Sequence, residues 1–252
     1  MTVEWAELKA AELQALAAQS AIVVVPVAAI EQHGPHLPVM TDSLLCSTVA
    51  RRGAEQAVAA GGRPVVVTPA VWSGLSEHHM PFGGTLSLDF ASFGALLGGV
   101  CRSLQRHRFG RVLLLNGHGG NEAALRVIVE QQSPTFEGVL ACVNYWHLAA
   151  AAFAEILERQ AGVQHACEAE TSMVLALRPD LVDPGRFAEA RFEEGRRPGG
   201  GAYRWDSFAA RTASGVIGDP TAASADKGER LLAAAAAALA DLLQNQAFWQ
   251  RS

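Results

Sequence analysis

Ala21-Ile22-Val23-Val24-Val25-Pro26-Val27, followed after three residues by Glu31-Gln32-His33-Gly34-Pro35-His36-Leu37-Pro38-Val39-Met40-Thr41-Asp42, decides how this chain is read. The first half is a β-branched run with no polar interruption, as expected for a parallel strand covered on both faces. The second half then lies in the loop leaving that strand. Pro35 and Pro38 stiffen it, so ordering it costs less entropy than ordering a flexible loop. In extended backbone Glu31 and His33 point the same way, and Asp42 returns from beyond the turn. Two carboxylates and two imidazoles so close together are the ingredients of a metal site, and Asp42 could bridge two cations. The alternative is a polar loop whose His and Glu cap neighbouring backbone groups.

Outward from this stretch, strands and helices alternate. Residues 5–18 are rich in good helix formers and predict an opening helix. A helix over 42–60 ends at Gly61-Gly62, and Pro64 to Pro69 forms a second strand. Trp72 to Thr85 is a loop containing Ser76-Glu77-His78-His79. Asp89 caps a helix to about Arg108. Arg111 to Leu115 is a third strand, followed by Asn116-Gly117-His118-Gly119-Gly120-Asn121 and a helix over 122–131. Val139 to Val143 is a fourth strand, leading into Asn144-Tyr145-Trp146-His147. Later come a helix opened by Glu168-Ala169-Glu170, a polar excursion over 184–201 with Arg186, Arg191, Arg196 and Arg197, a turn-rich loop over 214–220, and a closing helix over 226–246. The expected fold class is α/β, a single three-layer α/β/α domain over 1–252 with a mostly parallel sheet. Loops leaving its strands gather at one edge, where open α/β sheets bind ligands. That gathering brings Glu31, His33, Asp42, His118 and Trp146 into one neighbourhood.

Composition excludes several function classes. Half of the 252 residues are hydrophobic and the net charge is −5 with no basic block, so a nucleic-acid footprint is missing. The longest apolar run, Leu231 to Ala240, is too short to span a bilayer, and no signal peptide is evident. The four cysteines (Cys46, Cys101, Cys142, Cys167) are widely spread, which suits free thiols in a reducing cytoplasm.

The loop over 116–121 sits where glycine-rich phosphate loops also occur. The dinucleotide pattern, however, needs glycine where Glu122 stands, and the P-loop lysine is missing. His118 is therefore read as a metal ligand, with Gly119 and Gly120 letting a bound group approach closely. Of the pair His78 and His79, one is expected packed and one solvated; His78 is the candidate substrate contact. His36 suits a supporting role behind the ligands. Glu168 and Glu170 open a helix, where acids commonly serve the helix dipole. His165 just before them raises the chance of chemistry.

Glu31-Gln32-His33-Gly34 with Asp42, Asn116-Gly117-His118, and Glu170-Thr171-Ser172 before an apolar helix resemble the creatininase family (creatinine amidohydrolase and relatives). The resemblance implies a three-layer α/β fold, oligomers that are often hexamers, and a divalent metal pair bound by Glu31, His33, Asp42 and His118, with Asp42 bridging. It implies that His165 works near the scissile bond and that Trp146 borders the substrate. Creatininase proper has a metal-binding glutamate at the position of Gly120; other members share the glycine, and Glu170 is the natural replacement. Gln164 and Ala161 stand where creatininase has a glutamate and a tryptophan, so the aromatic box for creatinine is incomplete. The segments over 168–170 and 214–220 look closer to other branches, including the peptidase that trims the mycofactocin precursor peptide.

The implied function is a metal-dependent amidohydrolase that opens the C–N bond of a small cyclic amide, with a metal-lowered water pKa and Zn²⁺ and/or Mn²⁺ in the site, Fe²⁺ being also compatible. His165 would pass a proton to the leaving nitrogen, and Glu168 or Glu170 would orient it or complete the metal shell. The alternatives are a peptidase acting on a precursor peptide and a non-catalytic metal-binding protein.

Overall fold

The computed structural model describes residues 2–192 and 203–250. Four strands, β1 (Ile22–Val27), β2 (Val65–Val67), β3 (Arg111–Asn116) and β4 (Val139–Asn144), form a sheet in the order β2-β1-β3-β4 with every neighbouring pair parallel. The helices are α1 (Ala10–Ala18), α2 (Thr41–Ala59), α3 (Phe90–Arg106), α4 (Glu122–Gln132), α5 (Tyr145–Leu148), α6 (Ala150–Ile156), α7 (Glu168–Leu177), α8 (Phe187–Ala190) and α9 (Ala225–Gln244).

Successive strand residues point to opposite faces, and the two cores follow that alternation. Ile22, Val24, Val65, Val67, Leu113 and Leu115 pack with Leu45 and Val49 of α2, Met173 of α7, and Leu231 and Leu239 of α9. Val23, Val25, Val66, Val112 and Leu114 pack with Leu16 of α1, Phe93 and Leu97 of α3, and Leu125 and Ile128 of α4. Both faces of β1 are therefore covered, which explains its uninterrupted apolar run. Among the described residues no helix is long and apolar enough to cross a membrane.

The strand order places the functional edge. From β1 the chain moves through α2 to β2 on one side, then through α3 on the opposite face to β3 on the other side of β1. The winding direction reverses between β1 and β3, and their carboxyl ends open a crevice where such sheets bind ligands.

Two local expectations shift. The opening helix begins at Ala10, not Trp5: Lys9 is extended and its N–H donates to the Glu12 carboxylate at 2.8 Å, leaving Trp5–Glu7 as a separate 3-10 turn. The loop over 72–85 carries a 3-10 helix, Glu77–Phe82. Asp89 does cap α3, accepting from the Ser92 N–H at 2.6 Å. In the polar excursion, residues 193–202, with Arg196 and Arg197, lie outside the described residues.

Candidate metal and active site

Glu31 and His33 arrive on the loop after β1, Asp42 in the first turn of α2, His118 on the loop after β3, and Glu170 in the first turn of α7. All five are buried. His33 Nε2 lies 3.1 Å from Asp42 Oδ1 and 3.9 Å from Glu170 Oε2. His118 Nδ1 lies 3.1 Å from Asp42 Oδ2 and 3.2 Å from Glu31 Oε2. Three groups have ligand atoms within 4.8 Å of one another: Glu31, Asp42 and His118; His33, Asp42 and Glu170; and Glu31, His33 and His165. Asp42 belongs to the first two.

Both imidazoles are oriented from behind. His33 Nδ1 is 3.1 Å from the Glu31 carbonyl oxygen and His118 Nε2 is 3.1 Å from that of Leu75. Protons on those nitrogens would leave His33 Nε2 and His118 Nδ1 free to give lone pairs to a metal once their second protons are lost, as metal-binding histidines are arranged. At Gly120 a Cβ would lie 2.3 Å from His118 Nε2 and 2.4 Å from the Leu75 oxygen, so only glycine leaves room for that bond.

Three carboxylates in so small a buried volume demand positive charge. Burial alone would lower the pKa of His33, but Asp42 beside it outweighs this and carries it up to about 9. Burial likewise opposes ionisation of His118, yet Glu31 and Asp42 hold it well above its usual range. Burial would raise Asp42, and the charge on His33 instead keeps it well below the ordinary carboxylate range. Glu170 is pushed up by burial. Asp42 Oδ2 is also buried without a hydrogen bond, being close to His118 but off its donor line. An orphaned carboxylate oxygen between mixed imidazole and carboxylate donors is what divalent zinc or manganese would satisfy, so these residues fit the metal that the motifs imply.

His165 reaches the same floor. Its Nδ1 is 3.6 Å from Glu31 Oε1, its Nε2 is 2.9 Å from the Gln32 carbonyl oxygen, and its ring is 4.4 Å from that of His33. Burial keeps it neutral, holding its pKa well below the usual value. Its backbone exchanges hydrogen bonds with Ile217 at 3.0 and 2.9 Å. Ala166, the next residue, is left-handed at φ 52°, and its N–H donates to Glu170 Oε2 at 2.6 Å.

Above this floor opens a cavity of about 820 Å³, lined among others by His78, Gly119, Gly120, Trp146, Gln164 and Phe208. The four expected substrate contacts are all in that lining. Glu168 is not brought to the site, and the chemical role expected for it is corrected. Its fully buried carboxylate accepts from Lys227 Nζ at 2.7 Å and from the N–H groups of Glu158 and Arg159 at 3.0 and 2.8 Å. Residues two apart on a helix are about 200° apart around it, so Glu170 facing the cluster turns Glu168 away. His36 bonds Thr171 Oγ1 at 2.9 Å, behind Glu170 on α7.

The residues not anticipated are Ser76, His79, Gln32 and Phe208. Ser76 Oγ donates to Glu31 Oε2 at 2.7 Å, and His79 Nε2 is 3.2 Å from Glu31 Oε1. Phe208 lies tilted against His79 at 4.0 Å and edge-on to His165 at 4.8 Å, ring centre to ring centre. Of the two adjacent histidines, His79 is buried and His78 half-buried, and both line the cavity.

Comparison with known proteins agrees with this geometry. The family model described as creatininase, creatinine amidohydrolase, matches residues 6–243. The chain is 36% identical over 237 residues to the mycofactocin precursor peptide peptidase of Mycolicibacterium smegmatis, covering 91% of this chain and 85% of that one. It is 31% identical over 250 residues to the creatinine amidohydrolase of Pseudomonas putida, covering 92% of each. A solved structure described as "Creatininase Mn" superposes with a TM-score of 0.82 at 27% identity, covering 98% of this chain and 99% of that one. With the parallel sheet, the buried carboxylate–imidazole floor and a family match over nearly its whole length, the chain belongs to the creatininase family of amidohydrolases.

Proposed function

We propose that this protein, acting as a single domain, is a metal-dependent hydrolase of an amide C–N bond in a peptide-like substrate. The observation that carries the reading is the pair of buried ligand groups sharing Asp42 at the floor of an 820 Å³ cavity. Glu31, Asp42 and His118 would hold one divalent ion, and His33, Asp42 and Glu170 a second, Zn²⁺ or Mn²⁺. Ions bound there would polarise the substrate carbonyl and lower the pKa of water toward neutrality. His165, neutral and with Nδ1 turned to the floor, would accept a proton and deliver it to the leaving nitrogen. Trp146, His78, Gly119 and Gly120 would border the substrate.

We rank a peptide-like substrate ahead of the cyclic amide expected from sequence, and the size of the cavity supports that order. Ligand sites typically measure about 300–1,000 Å³, and a ring as small as creatinine would fill little of this one. Ala161 and Gln164 supply neither the aromatic wall nor the carboxylate that creatinine would use, and the 36% identical relative is named for a peptide substrate. A cyclic amide remains the second reading, favoured by the relative from Pseudomonas putida. Protein reloaded with Zn²⁺ or Mn²⁺ should cleave synthetic peptides and turn over creatinine poorly. The opposite pattern restores the cyclic amide, and full metal occupancy without any hydrolysis supports a binding protein. We also propose a homo-oligomer, since Trp72, Leu86 and Phe90 are about half exposed; a monomer by light scattering at micromolar concentration would refute it. The four cysteines are unpaired, in keeping with a reducing cytoplasm.

A further inference from the structure

We infer that Gln32 is a positioning residue for Glu31, acting through His79: its amide fixes the His79 tautomer whose N–H lies beside the Glu31 carboxylate. The inference rests on the reading of Glu31 as a metal ligand. Gln32 and His79 are 6% and 1% exposed, and neither has a role in the chemistry proposed above.

The amide orientation is set by two backbone groups. Gln32 Oε1 accepts from the Gly34 N–H at 2.9 Å, and Nε2 donates to the Gly215 carbonyl oxygen at 2.9 Å. One amide proton remains, and His79 Nδ1 lies 2.8 Å from Nε2. His165 Nε2, at 3.0 Å, is the other neighbour, but its own proton goes to the Gln32 carbonyl oxygen at 2.9 Å. His79 Nδ1 must therefore accept, and an uncharged ring accepting at Nδ1 carries its proton on Nε2. That Nε2–H lies beside Glu31 Oε1, 3.2 Å away, a charge–dipole contact off the donor line. His79 thereby presents an N–H, not a lone pair, to the candidate ligand Glu31. With Ser76 Oγ donating to Oε2 at 2.7 Å, both Glu31 oxygens have a polar neighbour.

The relay extends to residue 215. Gly215 has φ 79°, and a Cβ there would stand 2.2 Å from Gln32 Oε1. The same segment pairs Ile217 with the backbone of His165. One buried turn thus bonds both Gln32 and the backbone of the histidine assigned to proton transfer.

The test compares wild type with Gln32→Met, His79→Leu and the double variant. Gln32→Glu keeps the shape and the bond from Gly34 but loses both donors, and it replaces Gln32→Met if that variant does not fold. Zn²⁺ affinity is read by chelator competition, and ring tautomers by ¹⁵N-histidine NMR of metal-free protein. Each single change should weaken Zn²⁺ binding about 10–100-fold, the range for partners behind a metal ligand. The double variant should be little worse than either single one, because one chain of bonds is being cut. The His79 ring should be Nε2–H in wild type and lose that preference in the Gln32 variants, a signature that a generic packing defect would not give. Wild-type Zn²⁺ affinity in a Gln32 variant, or an Nδ1–H ring in wild type, would overturn the relay. Wild-type protein that takes up no Zn²⁺ would instead refute the metal reading of Glu31.

Discussion

Asp42→Asn probes the centre of the site with almost no change of shape. Asp42 places one oxygen 3.1 Å from His33 and the other 3.1 Å from His118, the imidazoles of the two ligand groups. The ligand atoms of each group lie within 4.8 Å of one another, so an ion among them sits within about 4 Å of an Asp42 oxygen. Two unit charges at that distance attract by about 4 kcal/mol at an effective dielectric constant of about 20, and a divalent ion doubles it. Even if the amide and entering water return half of that, about 4 kcal/mol is lost per ion. That is close to three orders of magnitude in affinity. Elemental analysis after gel filtration should therefore find at least one ion missing at micromolar protein, and turnover should vanish with it. Because the substitution also removes the partner of His33, the metal-free variant is melted separately to divide the metal effect from the folding effect. Two ions retained at wild-type affinity would refute the shared role of Asp42.

The remaining expectations are simpler. His165→Ala should cut turnover by about 10²–10⁴, the usual weight of a positioned proton donor, with metal content unchanged; metal loss would place His165 among the ligands, as its proximity to Glu31 and His33 allows. In metal-free protein His33, with its pKa up at about 9, and His118 are protonated at pH 7. Metal uptake should then release roughly two protons, and affinity should climb as pH rises toward 9. Calorimetry in buffers of different ionisation heat counts the protons, and a count of zero at pH 7 would contradict the charge balance. Glu168→Gln should cost about 3 kcal/mol in urea unfolding, the low end for breaking a buried pair, because Lys227 keeps Glu158 at 2.7 Å; lost metal with unchanged stability would return Glu168 to the site.

The fold was legible because its central strands are covered on both faces and so carry no polar residue from Ala21 to Val25. Alternation puts the carboxyl ends of parallel strands at one edge and so gathers the loops bearing Glu31 and His118; the strand order, and with it the switch of winding between β1 and β3, depends on tertiary packing. Less could be read where identity depends on tertiary packing. His78 and His79 are equivalent by composition, and only the 3-10 turn of Glu77–Phe82 decides which faces Glu31. Glu168 and Glu170 share a helix turn; the geometry of that turn forbids both from facing one point, but which one faces the cluster depends on how α7 docks against α9. Gln32, though it sits inside the Glu31-to-Gly34 motif, and Phe208 are neither ligands nor nucleophiles by type, and an amide and a benzene ring act only through what they touch.

Ala166 carries a consequence for engineering. A left-handed alanine costs roughly 1–2 kcal/mol, which glycine would relieve at the expense of a larger unfolded ensemble. The strained turn carries His165 on one side and donates to Glu170 on the other. It acts as a rigid bracket between the two. A search for thermostable variants would favour glycine at this position, because the native state relaxes. The same change would give the His165–Glu170 bracket a softer hinge, so stability and turnover should trade against each other at a residue that touches no substrate.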